Sequence, residues 1–362
     1  MLLFVLACQS TKDDFDSGLQ EEFQEVGETT RDCFSNHPSD PFLVYATPYD
    51  DDGNQADRWH LQPKEGEVID FSMGRSISGQ VHISQDGTWG AVAQQDGTLG
   101  IFRYEDGAVS VLEAGLTVQT NGESIYASTL WLDSQEGELW IVDPNWPDNG
   151  GGLFRATLDC DSGIITGTEK VFSSKNGYSM HSFGEDWVYL GRELNGEPHQ
   201  ISIFNDAGSL IGQGNAFDDD ESIFSALASD GTNILAADNN EFSSISTRVS
   251  HVVWDGNTLQ QEYVFDIEDP VGLAMVDDWA FIASGYGNAV WKYQISTQSL
   301  HFVMDIPLPS SILQQENNVY VAGNTQISKI DVSSTGAGGI EDIIGLNGVE
   351  GIIGAFGVFG DF

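Results

Sequence analysis

The feature that most constrains this chain is a stretch punctuated three times by Asp-Gly. Residues 79–112 read GQVHISQDGTWGAVAQQDGTLGIFRYEDGAVSVL. Short apolar or alternating runs at 80–84, 89–93, 99–104 and 109–112 are separated by QDG, QDG and EDG. Asp-Gly supplies the positive φ that a tight hairpin needs, so the stretch predicts four antiparallel strands in a meander. The pattern returns more loosely at 42–73, 124–172, 178–212, 223–266, 271–305 and 311–331. Second strands share a spelling, WGAVA, WVYLG, NILAA, WAFIA and NVYVA, each just after a Gly, Asn or Asp turn.

Four strands per unit at a spacing of roughly 40–50 residues is the mark of a β-propeller. The expected fold is therefore all-β, a β-propeller of seven four-stranded blades over residues 41–335. One blade cannot bury both its faces, so blades stack around an axis, and Trp89, Trp187, Trp279 and Trp291 are expected to fill the gaps between them. The first unit lacks an inner strand and the last an outer one. Closure must then borrow a strand from one terminus, which leaves no free edge.

Charge narrows the function. The chain has 362 residues with 13 Lys plus Arg against 56 Asp plus Glu, a formal net charge of −43. Such a field repels nucleic acid and anionic lipid headgroups, which excludes both as partners. It suits a cation, a cationic partner or a salty medium, and it also keeps a β-protein soluble.

The first residues, MLLFVLAC, are an apolar run ending in a small residue before Cys8, and VLAC resembles the lipobox of bacterial lipoproteins. The resemblance implies a signal over 1–8, lipidation of Cys8 and an outer-membrane-anchored protein facing periplasm or exterior, since Gln9 and Ser10 are not the acidic residue of inner-membrane retention. No Lys or Arg precedes Lys12, so the basic n-region of a signal peptide is expected upstream of Met1. The rival reading is a cytosolic protein whose first strand begins MLLFVLAC. Residues 9–40 are acidic and aperiodic and read as an extended tether. Cys33 and Cys160 then remain as a pair, open either to a disulfide or to two separate thiols.

The segment HISQDGTWGAVAQQDGTLGIF resembles a blade of the broad superfamily of bacterial YVTN-type surface propellers and lactonase-like propellers. That superfamily includes lactonases, quinone-dependent dehydrogenases, surface binding proteins and scaffolds, so the resemblance implies fold more than chemistry. No lactonase catalytic residue aligns with a position in this chain.

The loop DDDGNQAD at 50–57 concentrates Asp50, Asp52 and Asp57 at spacings that suit oxygen ligation, with Ca2+ the cation it would take; the alternative is a solvated acidic loop. Glu123, Asp220, Glu221 and Asp269 precede or open inner strands and are expected at one end of the central channel. His82 and His181 fall on inner strands, and no histidine shows metal-ligand spacing. There is no G-x-S-x-G, phosphate loop or Cys-x-x-Cys, while a triad assembled from distant positions stays open. Trp146 and Tyr286 in loops are candidates for stacking on a sugar or peptide, or for packing under a neighbouring loop. The tail 336–362 has Gly near every third position with Ile, Val, Leu and Phe between; it reads as an adhesive tail or as a segment folding back on the propeller.

Two functions follow. The first is a non-catalytic, exported, lipid-anchored propeller that binds a ligand or protein partner at the cell envelope. The alternative is a metal-dependent hydrolase or lactonase built on the channel carboxylates.

Overall fold

A computed structural model describes residues 40–49, 55–74, 79–94, 96–120, 123–127, 129–133, 137–144, 151–159, 162–192, 200–217, 224–239, 247–332, 339–345 and 353–362. Cys8, the tether to residue 39, Cys33, Asp50, Asp52, Trp146, Cys160, Asp220 and Glu221 lie outside the described residues.

Seven four-stranded antiparallel blades form a ring around a channel. Written from inner to outer strand, blade 2 is His82–Ile83, Trp89–Ala93, Leu99–Glu105 and Ala108–Leu116, and blade 3 is Thr129–Asp133, Glu138–Asp143, Gly152–Leu158 and Ile165–Ser173. Blade 4 is Lys175–Phe183, Asp186–Arg192, Gln200–Phe204 and Leu210–Asn215, and blade 5 is Phe224–Ser229, Asn233–Asp238, Arg248–Trp254 and Leu259–Asp266. Blade 6 is Pro270–Val276, Trp279–Ser284, Ala289–Gln294 and Ser299–Asp305. Blade 7 takes Ser311–Gln315, Asn318–Ala322 and Gln326–Asp331, and adds Ile340–Gly345 outside them.

Blade 1 closes the ring. Phe42–Tyr49, Gln55–Pro63 and Ile69–Ser72 come from the start of the propeller, and the inner strand is Ala355–Phe359, paired antiparallel with Phe42 opposite Phe359 and Tyr45 opposite Phe356. The borrowed strand expected from the unit count is thus the C-terminal one. The boundary drawn at residue 335 falls inside the propeller, because the stretch set apart as a tail supplies both missing strands, Ile340–Gly345 and Ala355–Phe359. Its sequence hides this, since glycines interrupt the alternation that marks a strand. Gly357 has a reason for being glycine. A Cβ there would stand 2.7 Å from the carbonyl oxygen of Val81, where the backbone of blade 2 passes alongside. The same inner strand also pairs in parallel with Gly79–Gln80, so the expected strand at 80–84 is shared between two blades.

Local chemistry makes the turns. In EDG, Asp106 and Gly107 both take positive φ, 52° and 73°, the signature of a two-residue hairpin turn. In the first QDG only Gly87 does, and the turn is fastened by Asp86, whose carboxylate accepts from the Ser84 hydroxyl at 2.6 Å and the Thr88 hydroxyl at 2.8 Å.

Aromatic side chains fill the seams. Trp89 packs with Leu139, Ile141 and Phe154 between blades 2 and 3, and the rings of Trp140 and Trp187 lie 5.2 Å apart between blades 3 and 4. Trp279 and Trp291 are half-buried against the same kind of apolar cluster. The few cations are placed on these rings. Arg103 lies over Trp89 at 4.6 Å, Arg155 over Trp140 at 5.7 Å, Lys292 over Trp279 at 4.4 Å and Lys329 over Tyr320 at 5.8 Å. In three of these pairs the two residues stand directly opposite each other on second and third strands. Such cross-strand cation–aromatic pairs contribute roughly 0.5–2 kcal/mol each.

Beyond the closing strand, the Asp361 carboxylate takes a hydrogen bond from Lys329 Nζ of blade 7 at 2.7 Å and stands 3.6 Å from Lys64 Nζ of blade 1. The Lys329 ammonium beside it holds the Asp361 carboxyl below its usual range. A depressed carboxyl stabilises the fold above its unfolded pKa and loses that contribution as pH falls through the folded one. Asp361→Asn is therefore expected to lower stability by roughly 0.5–1 kcal/mol near neutrality, the range of half-exposed ion pairs. In melts taken at successive pH values, the gap to the parent protein should close below about pH 4, the ordinary Asp range. Deleting residues 336–362 removes two strands and opens the ring, so the truncated chain should lose its cooperative melt; a sharp transition retained after deletion would show that the ring does not need them.

Candidate functional site

The inner strands enclose a cavity of about 440 Å³ along the propeller axis. Gln80 and His82 of blade 2, His181 of blade 4, Ser225 and Ser229 of blade 5, and Ser311 of blade 7 line it with neutral polar groups. Leu227, Leu273 and Ile312 supply aliphatic patches between them. Among the described lining residues none is charged at neutral pH, in a chain with 56 acidic residues.

Both histidines are kept neutral. Enclosure by the channel wall pushes His82 down to about 3, with His181 opposing a second positive charge, and burial likewise lowers His181. His181 Nδ1 lies 2.9 Å from the Ser182 carbonyl and 3.1 Å from Ser229 Oγ, and the Ser229 hydroxyl donates to that same carbonyl at 2.5 Å. The inner-strand placement of both histidines follows the sequence expectation.

Loops between second and third strands gather at one end of the ring, the end from which each inner strand starts. Tyr286, on the blade 6 loop between Trp279–Ser284 and Ala289–Gln294, is 62% exposed. Its N–H donates to Asp269 Oδ2 at 2.7 Å, and Asn239 Nδ2 donates to Asp269 Oδ1 at 2.6 Å. Asp269 is buried and takes φ of 45°, turning the chain into the inner strand of blade 6. Its carboxylate therefore couples the loops of blades 5 and 6.

A similar arrangement stands across the face. Tyr126, ahead of the blade 3 inner strand, is 46% exposed, and its N–H donates to Oδ2 of buried Asp143 at 3.2 Å. Gly97 of blade 2 abuts the Tyr126 ring, and a Cβ at that glycine would stand 2.2 Å from it. Two exposed tyrosines are thus held from beneath by two buried carboxylates. The repeat unit that opens at residue 124 reads as beginning on its inner strand, whereas Glu123–Ser124 forms a small hairpin with Gln119–Thr120 and the inner strand starts at Thr129, which leaves Tyr126 on the connection between them. Asp143, which ends WIVD, was the available signal.

Of the expected channel carboxylates, Asp269 is committed to these loops, and Glu123 sits in the small hairpin with its side chain outside the described residues. Of the expected calcium loop, Asp57 is exposed and accepts from the Ser72 hydroxyl at 2.5 Å. No group of three or more His, Cys, Asp or Glu gathers as a metal would require, among the described residues.

Blade 1 carries a hydroxyl–imidazole–carboxylate line that only strand register could reveal. Thr47 Oγ1 is 2.9 Å from His60 Nε2, and His60 Nδ1 is 2.7 Å from Asp70 Oδ1, with Tyr45 stacked on the imidazole at 4.8 Å. Tyr45, His60 and Asp70 are opposite one another on three neighbouring strands. The burial is the reverse of a hydrolytic triad's. The hydroxyl is buried and the Asp70 side chain is 77% exposed, so a substrate would meet the carboxylate rather than the nucleophile. The line ties blade 1 together at the seam of ring closure.

No family profile matches the sequence, and no curated protein matches it. Solved structures do resemble the fold. A candidate 6-phosphogluconolactonase of Bacteroides fragilis is 12% identical with a TM-score of 0.60, over 89% of this chain and 99% of that one. The RRP9 WD40 repeats are 12% identical with a TM-score of 0.56, over 79% and 85%. A chain of the nidogen/laminin complex is 10% identical with a TM-score of 0.51, over 75% and 98%. These likenesses establish the propeller fold.

Asp269→Asn keeps the size of the buried anchor and removes its charge. It is expected to cost about 2 kcal/mol in urea unfolding, the scale of a disrupted buried charged hydrogen-bond set. It should also speed amide exchange at Tyr286; exchange left at the parent rate would mean that other contacts hold the loop.

Proposed function

We propose that this chain is a non-catalytic, exported β-propeller that binds a partner at the cell envelope through the loop face carrying Tyr126 and Tyr286. The observation that carries the reading is the pairing of exposed tyrosines with buried anchors, Tyr286 with Asp269 and Tyr126 with Asp143. Tyrosine offers large amphipathic contact area at low entropic cost, and an anchored backbone lowers the ordering penalty of binding further.

Charge supports the same reading and suggests the partner's sign. Six cations already lie over aromatic rings, Arg248 and Lys170 joining the four above. The remaining surface is strongly anionic, which steers a basic partner and repels nucleic acid. The lipobox-like VLAC places the partner at the envelope, with Cys8 as the lipid attachment point.

Tyr126→Ala together with Tyr286→Ala should leave the melt unchanged and weaken capture of envelope proteins by the immobilised propeller at least tenfold, as loss of interface anchors does. Equal capture by parent and double variant would sink the loop-face reading. Expressed in a bacterial host, the protein should incorporate labelled palmitate and lose that label in Cys8→Ala; absence of label in the parent would remove the anchor.

A further inference from the structure

Neither tyrosine lines the axial cavity, whose described wall is built of neutral polar and aliphatic groups. The Ser225 hydroxyl donates to the Pro270 carbonyl, and the Ser229 hydroxyl donates to the Ser182 carbonyl at 2.5 Å. A carbonyl oxygen only accepts, so both hydroxyl protons are committed to the wall, and each serine oxygen contributes lone pairs. His181 Nδ1 faces the same Ser182 carbonyl at 2.9 Å, so the neutral ring carries its proton there. These residues all line the cavity, together with the amide of Gln80.

We propose that the channel is a binding site for an uncharged polyhydroxylated molecule, a mono- or disaccharide or a polyol of that size. Hydroxyl groups both donate to the serine oxygens and accept from the amides of Gln80 and Gln314 on the same wall, and the aliphatic patches at Leu227 and Leu273 receive the carbon face of a ring. A cavity of 440 Å³ falls within the roughly 300–1,000 Å³ of ordinary small-molecule sites. Other classes of ligand fit less well. An anion meets lone pairs and a net charge of −43. A cation meets the enclosure that already keeps two histidines neutral. A purely apolar ligand strips water from the acceptors and returns no hydrogen bond.

The test titrates the full chain with glucose, galactose, maltose and glycerol, and with gluconate and glucosamine as charged analogues at matched ionic strength. At least one neutral probe should raise the melting temperature progressively with concentration, as mass action requires, while gluconate and glucosamine do not. Calorimetric affinity for that probe should fall roughly tenfold in Ser229→Ala, the scale of one lost buried hydrogen bond, and stay unchanged in Tyr286→Ala. Ser225→Ala serves where Ser229→Ala does not fold. The proposal is overturned if no neutral probe shifts the melt, if the charged analogues match the neutral ones, or if both serine variants bind like the parent. Each of these results leaves the tyrosine-face reading untouched, because that reading stands on a different surface.

Discussion

The structure depends on one non-local pairing, the insertion of Ala355–Phe359 between Phe42–Tyr49 and the start of blade 2. Within blades 2 to 6 strands pair with their sequence neighbours, so the entropy of bringing them together is small. Closure is different, since it joins segments more than three hundred residues apart and must be repaid by what it buries. The strand has the means. Ala355, Phe356 and Val358 are buried, and Phe42 and Phe359 meet at 5.7 Å. Beyond it Lys64 and Lys329 fix Asp361 from the two blades that the closure brings together. Once that edge is paired, the inner strands enclose the cavity and the loops at its mouth have a fixed platform.

The closing strand also explains why a ring with so few cations holds together. Like charges in excess push a compact state apart, and the chain offers 13 basic residues against 56 acidic ones. Placing those cations on the surface to balance the field would yield little, because exposed pairs are worth about 0–1 kcal/mol. Placing them over Trp89, Trp140, Trp279 and Tyr320 lets each also cover an aromatic seam between strands. The anionic surface is what remains when the cations are spent on cohesion. A partner therefore meets a field of one sign, broken on the loop face by two tyrosines.

Much of the fold was legible because turn chemistry and strand period are local. QDG and EDG marked hairpins, the shared spelling of second strands marked repeats, and unit counting called for a borrowed strand. The tail was not legible. AFGVF carries Gly357 for a close backbone approach to Val81, and that glycine disguises a buried strand as a flexible one. The site divided along the same line. His82, His181 and Tyr286 were visible from their places in strands and loops. Thr47, His60 and Asp70 are chemically unremarkable in the sequence, and only the register that sets Tyr45 opposite His60 opposite Asp70 brings them together. Asp269 was noticed for its charge and expected in the channel, yet its role lies in its hydrogen bonds to Asn239 and Tyr286.

Channel and face answer to opposite electrostatic rules. Outside, water and salt screen carboxylates, so acidity costs little and acts mainly by steering. Inside, enclosure by the wall disfavours the cationic forms of His82 and His181. A repeat fold reconciles the two because side chains alternate along each strand and every blade has an inner and an outer edge. Serine, glutamine and neutral histidine can therefore occupy inner strands while Asp and Glu crowd the turns and rim. Among the described lining residues recognition rests on neutral groups: an ion gives up more hydration on entering the lumen than a neutral molecule whose hydroxyls regain hydrogen bonds there.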